Sequence, residues 1–137
     1  MGAGGRTSKT KPKPMNQLTQ ASITTERRVL GILLCEVANI APIMGELSKD
    51  MFTQGRAEIF EACKHNHDAG NPVNIATVGK TLVDRKQGSH AFEMASCTDG
   101  IYNAHKWKVY VAHLQEARQE RGLEAIKADL MRDFDIE

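Results

Sequence analysis

The stretch TTERRVLGILL, Thr24 to Leu34, decides the fold of this chain. Thr24 and Thr25 carry side-chain oxygens that can cap a helix, and Val29, Leu30, Ile32, Leu33 and Leu34 follow closely behind them. On a helix running from there to about Val37 these five side chains take up most of the circumference, so the helix must be covered on nearly every side. It belongs in the middle of a helical bundle. Gly31 lowers helix propensity by ~1 kcal/mol relative to Ala, a cost consistent with another helix approaching closely at that point.

Toward the C-terminus the apolar positions keep helical spacing. After Asn39, the residues Ile40, Ile43, Met44 and Leu47 mark one face of a short helix, with Pro42 tolerated in its first turn. Ser48, Asp50, Met51 and Phe52 connect to a third helix near Arg56 to His67, whose inward stripe is Ile59, Phe60 and Cys63, and the run DAGNP from Asp68 to Pro72 ends it. Asn74 caps a fourth helix on which Ile75, Val78, Leu82 and Val83 point broadly one way. Lys86, Gln87 and Gly88 mark its exit, and Ala91, Phe92, Met94 and Ala95 suggest a short fifth helix before the CTDG turn. No segment alternates as a strand would. The expected fold is all-α, with a small multi-helix globular bundle over residues 23–102 and a core that includes Val29, Leu30, Leu33, Leu34, Ile59, Phe60, Ile75, Val78 and Leu82.

Residues 103–137 read differently, with no proline, one glycine and many helix formers. A single helix of about 30 residues, about 45 Å long, is expected, and it exceeds what the globule needs. Trp107, Tyr110, Val111 and Leu114 can pack on the body, whereas the polar belt from Gln115 to Gly122 should hold the rest away from it. Beyond the belt Leu123, Ile126, Leu130, Met131 and Phe134 recur at helical spacing, as on a projecting association arm. The pairs Glu124 with Lys127 and Asp129 with Arg132 add only tenths of a kcal/mol each, so the arm should need a partner.

At the other end, residues 1–22 read as a flexible basic lead-in, rich in Gly, Thr, Ser and Lys and poor in apolar surface. Arg6, Lys9, Lys11 and Lys13 place four bases and no acid in the first fourteen residues, leaving 14 bases against 17 acids in the remainder. A basic folded groove for nucleic acid is therefore not implied, and any contact with DNA should be weak, salt-sensitive and confined to that tail. The whole chain of 137 residues, 41% hydrophobic and 26% charged, is sized for one ordinary domain. Its three cysteines, Cys35, Cys63 and Cys97, are odd in number and far apart, which favours a reduced setting. No apolar run is long enough for a membrane span and no secretory signal follows the basic start, so the cytoplasm is the expected location.

The residues that carry catalysis elsewhere do not assemble into a recognisable pattern. There is no Gly-rich loop ending in Gly-Lys-Ser or Gly-Lys-Thr, and Gly2 to Gly5 lack the following lysine, so ATP binding is not assigned to any residue here. Cys63 and His67 share a helix face, but two ligands do not close a tetrahedral zinc site, and His65 points elsewhere. His90, His105 and His113 are scattered without a nucleophile beside them. The acids Glu58, Glu61, Glu116, Glu120 and Glu124 have helical spacing with nothing to raise a pKa, and Trp107 between Lys106 and Lys108 reads as a docking aromatic rather than a base-stacking platform. No catalytic, cofactor-binding or metal-binding residue is expected.

The ordered series TTERRVLGILL, DMFTQGRAEIFEA (Asp50 to Ala62), GNPVNIATVGKTL (Gly70 to Leu82), FEMAS (Phe92 to Ser96) and the helix from Asn103 resembles the N-terminal domain of the replicative DnaB-type hexameric helicase family. The sequence departs from the family pattern in a few places. Gln20 stands where a proline is usual, Thr24 replaces the first of two acids while Glu26 retains the second, Asp50, Met51 and Phe52 approximate Asp-Phe-Tyr, and Arg56 takes a position that often holds His. The resemblance implies a helical globule followed by a helical hairpin, of which the long helix is the first arm. It also implies six copies in a collar, a trimer of dimers, that binds primase and a helicase loader, with ATP and magnesium confined to a motor domain elsewhere in a longer protein. The chain itself would then be non-catalytic. A free-standing adaptor or decoy that binds a host helicase or primase is the alternative.

Overall fold

The computed structural model describes residues 14–35, 39–99 and 104–136, with side chains described for 20–35, 39–99 and 104–132. Six helices follow one another: α1 (Pro14–Leu34), α2 (Ala41–Gly45), α3 (Gly55–Asp68), α4 (Ile75–Asp84), α5 (Ala91–Cys97) and α6 (Trp107–Ile136). Short 3-10 turns at Lys49–Met51, Gly88–His90 and Ala104–Lys106 join them, and no strand occurs among the described residues. The expected all-α architecture with a long final helix is what the chain adopts.

The first helix starts earlier than its sequence suggested. It begins at Pro14, where a fixed φ and a missing N–H suit the first helical position. Thr25 is therefore no cap: its Oγ1 donates 2.9 Å back to the Ala21 carbonyl within a continuing helix. The boundary drawn between residues 22 and 23 thus falls inside α1, and residues 1–13 lie outside the described part. At the other end the helix closes with Cys35 N donating to Gly31 O at 3.0 Å.

Val29, Leu30, Ile32 and Leu33 are fully buried and Leu34 nearly so, which makes α1 the central helix. Ile59, Phe60 and Cys63 of α3 face it, and Phe60 stacks on Phe52 with ring centroids 4.9 Å apart. Val78 and Leu82 bring α4 into the same core, and Val111 and Leu114 bring in α6. Leu34→Ala should lower stability by about 2–5 kcal/mol through the lost burial and the cavity left behind, measured by urea unfolding.

One local signal holds and two residues move. Asn74 caps α4 in a reciprocal box, its Oδ1 accepting from Thr77 N at 3.0 Å while Thr77 Oγ1 accepts from Asn74 N at 3.1 Å. Gly55 allows α3 to start directly beneath His90, since a Cβ there would lie 2.4 Å from the imidazole Nδ1. Ile75, expected in the core, is instead 47% exposed, and Val83 is 65% exposed. Helical side chains lean toward the N-terminus, so one in the first turn, like Ile75, reaches past the end of the contact face. Val83 sits one position beyond Leu82 and turns off that face.

Candidate association surface

The long helix is seated on the body by polar as well as apolar groups. Val111 and Leu114 are buried, Trp107 and Tyr110 pack against the core, and the Arg28 guanidinium lies 5.8 Å over the Tyr110 ring. One turn on, His113 Nδ1 and Thr25 Oγ1 share a 2.9 Å hydrogen bond. The belt from Gln115 to Gly122 then departs from expectation, because it does not hold the helix off the body. Arg118 Nη1 donates to Asp50 Oδ1 at 3.1 Å and to Ser48 Oγ at 3.2 Å, and Arg121 Nη2 donates to the Asp50 carbonyl at 2.7 Å. Guanidiniums do here what an apolar stripe does elsewhere. The Asp50 carboxyl is held below its ordinary range, first by the Ser48 hydroxyl and then by Arg118.

Past Arg121 the helix leaves the globule. Leu123, Ile126, Leu130 and Met131 are each more than half exposed, in a run where every described side chain is exposed. Leu123, Ile126 and Leu130 follow at intervals of three and four, so they form one seam. The side chain of Phe134, the last expected seam residue, lies outside the described side chains. Asp129 and Arg132 form their expected ion pair, whereas Glu124 forms none among the described residues. Exposed apolar residues that adjoin one another in this way make the seam a candidate interaction face.

A buried ionic network that the apolar pattern did not disclose joins the helices of the body. Glu26 of α1 is 0% exposed and accepts from Arg56 Nε at 2.7 Å, from the Thr53 backbone N–H at 2.9 Å and from the Thr53 hydroxyl. Arg56, itself 2% exposed, extends Nη1 to Glu93 of α5 at 3.1 Å and Nη2 to Thr53 Oγ1 at 3.0 Å. Arg27 grips Glu93 from the solvent side with two bonds of 2.7 and 3.0 Å. Three helices and the turn before α3 thus meet at one pair of charges. That turn also carries Asp50, the seat of Arg118. The sequence marked Glu26 and Arg56 only as positions of the family pattern, with no sign that they pair.

Arg27 and then Arg56 hold the Glu93 carboxyl below its ordinary value of 4.5. A lowered folded-state pKa contributes stability that is fully present above the ordinary value and lost as pH falls through the folded one. The melting temperature should therefore drop with acidification below about pH 4.5, and Glu93→Gln should flatten that dependence in thermal melts from neutral to acid pH.

The other singled-out residues have ordinary settings. Cys63 is fully buried and burial pushes its thiol far up, while Cys97 is pushed up to about 12, again chiefly by burial. His65 is exposed, His67 half-buried, and His90 lies over Gly55 with Nε2 4.0 Å from Glu58. Lys108 rests 5.7 Å over the ring of Trp107, which packs on the core. No group of three or more His, Cys, Asp or Glu among the described residues could hold a metal ion. No described helix is long and apolar enough to cross a membrane. Phe92, assigned only to helix formation, is 85% exposed on α5.

A central apolar helix, a shell of short helices and a long helix pinned at its root, with exposed apolar residues farther along, make up an all-α module. The sequence profile of the DnaB-like helicase N terminal domain matches residues 18–116, and the chain belongs to that family. The match runs from within α1 to Glu116 on α6 and stops before Arg118, Arg121 and the exposed seam. No curated protein and no solved structure matches the chain.

Proposed function

We propose that this chain is the non-catalytic N-terminal collar domain of a replicative DNA helicase, joining subunits and presenting a surface to primase and to a helicase loader. The observation that carries the reading is the apolar seam Leu123, Ile126, Leu130 and Met131, held out from the globule on a helix whose root is fixed by Arg118 and Arg121. A domain that worked alone would have no use for that surface. Family membership supplies the setting. In this reading ATP and magnesium act only in a motor domain, the seam joins copies as dimers within a hexameric collar, and DNA meets the chain weakly, through Arg6, Lys9, Lys11 and Lys13.

Light scattering over a concentration series, with and without the primase of the same replication system, tests it. Association that rises with concentration and a complex with primase are the expected results. A strict monomer that binds neither primase nor loader contradicts the proposal, as does ATP turnover that follows the purified protein.

A further inference from the structure

An open groove of about 800 Å3 runs between α1 and the root of α6. Ile23, Ala117 and Leu123 give it an apolar lining. Glu116, Glu120 and Glu124 border it at intervals of four, so their carboxylates climb one side of α6 in steps of about 6 Å. All three are exposed, and none forms an ion pair among the described residues.

The direction of the hydrogen bonds behind the lining gives the groove a second property. Ser22 Oγ and Thr53 Oγ1 border it, and both donate their protons to Glu26, at 3.3 Å and 2.9 Å. A hydroxyl has one proton, so each can only accept from an occupant. His113, also on the border, shares its Nδ1 with Thr25 Oγ1, whose own proton goes to the Ala21 carbonyl. Both bonds form together only if Nδ1 carries the hydrogen, which leaves Nε2 of the neutral ring as an acceptor. Arg121, the cation on the rim, has its Nη2 engaged by the Asp50 carbonyl at 2.7 Å. Apart from Arg121 and the Gln119 amide, the polar lining therefore offers acceptors and negative charge around an apolar strip.

Such a lining selects its occupant. A phosphate backbone would meet like charge, and a second copy of α6 would bring the same three carboxylates with it. Both walls are helices whose backbone groups are bonded internally, so an extended peptide would find no ladder for its own N–H and C=O groups, whereas a helix satisfies its own. Basic residues four apart on a helix repeat the step of the glutamates. We propose that this groove receives one amphipathic helix of a partner protein, its leucine-like face against Ile23, Ala117 and Leu123 and its Lys or Arg side chains against Glu116, Glu120 and Glu124. Apolar burial supplies most of the hold, and the exposed ion pairs, individually weak, set which helix is accepted. As a statement of what a helicase partner brings to this domain it rests on the collar reading, while the preference of the groove stands without it.

A synthetic probe tests this in the full chain without any replication protein, so its outcome is separate from that of primase binding. The probe is a fluorescein-labelled helical peptide of about 14 residues, about 21 Å long, with leucines on one face and lysines every fourth residue on its flank. Fluorescence anisotropy should show saturable binding, and amide shifts should move at Ile23 and residues 113–124 rather than on α4. Glu116→Lys, Glu120→Lys and Glu124→Lys together should weaken binding at least about tenfold with helix content unchanged, and a peptide with glutamates in place of its lysines should recover it. Replacing the peptide's leucines with serines, or breaking its helix with a central proline, should each cost at least about tenfold. Ile126→Glu with Leu130→Glu should leave binding intact, which separates the groove from the seam. No saturable binding, equal binding of the serine or proline peptide, indifference to the charge exchange, or the same amide shifts produced by raising the protein concentration alone, which would put a second copy in the groove, overturns the proposal.

Discussion

Arg56→Ala is expected to destabilise the domain by about 3–5 kcal/mol, because it leaves the Glu26 carboxylate charged or forced to take a proton in a site with no access to water. Small domains carry about 5–15 kcal/mol in total, so much of the population should unfold at physiological temperature. The loss does not measure the worth of the pair. Bringing both charges out of water already costs several kcal/mol each, and their attraction with the Thr53 bonds offsets that only while the geometry is complete. Arg56→Lys should rescue little, since one ammonium cannot span Glu26, Thr53 and Glu93 as the planar guanidinium does. Glu26→Met combined with Arg56→Met should sit closer to the wild type than Arg56→Ala alone. Urea unfolding of the four proteins decides it. A loss below about 1 kcal/mol for Arg56→Ala would falsify the view that this pair governs the packing of α1, α3 and α5.

Ile126→Glu with Leu130→Glu should weaken self-association at least about 100-fold, equivalent to about 2.7 kcal/mol, while leaving the fold unchanged. Each replaced side chain forfeits up to about 1.5–3 kcal/mol of burial at an interface, and the new carboxylates would face their own kind across it. The fold is insensitive because Ile126 and Leu130 are 57% and 53% exposed and glutamate is a good helix former. A compact monomer of this length would have a radius of gyration of about 14 Å, and the arm should raise the measured value above that. X-ray scattering across a concentration series, paired with circular dichroism, gives the readout. If the wild type stays a compact monomer at high concentration and the variant matches it in size and helix content, the seam is not an interface.

The sequence by itself determined whatever depends on neighbours a few residues apart. The crowding of Val29 to Leu34 on the last turns of α1 makes that helix central whatever surrounds it, because no orientation exposes those residues cheaply. Asn74 caps α4 through a bond to Thr77, three residues on, and the pair Ile59 and Phe60 faces inward by helical period alone. The seam on α6 is legible for the same reason. Only the tertiary structure decided what joins distant parts of the chain. Glu26 and Arg56 are 30 residues apart and Arg56 and Glu93 are 37 apart, and no periodicity brings them together until α1, α3 and α5 pack. Arg118 and Arg121 look like surface charges until the turn at Asp50, about 70 residues earlier, arrives beneath them. Ile75 and Val83 show the converse, since helical spacing brings an apolar residue near a face without ensuring a partner opposite it. Local spacing sets which elements form and which stripe each carries. The closing of loops between elements sets which charges meet and where a long helix is pinned.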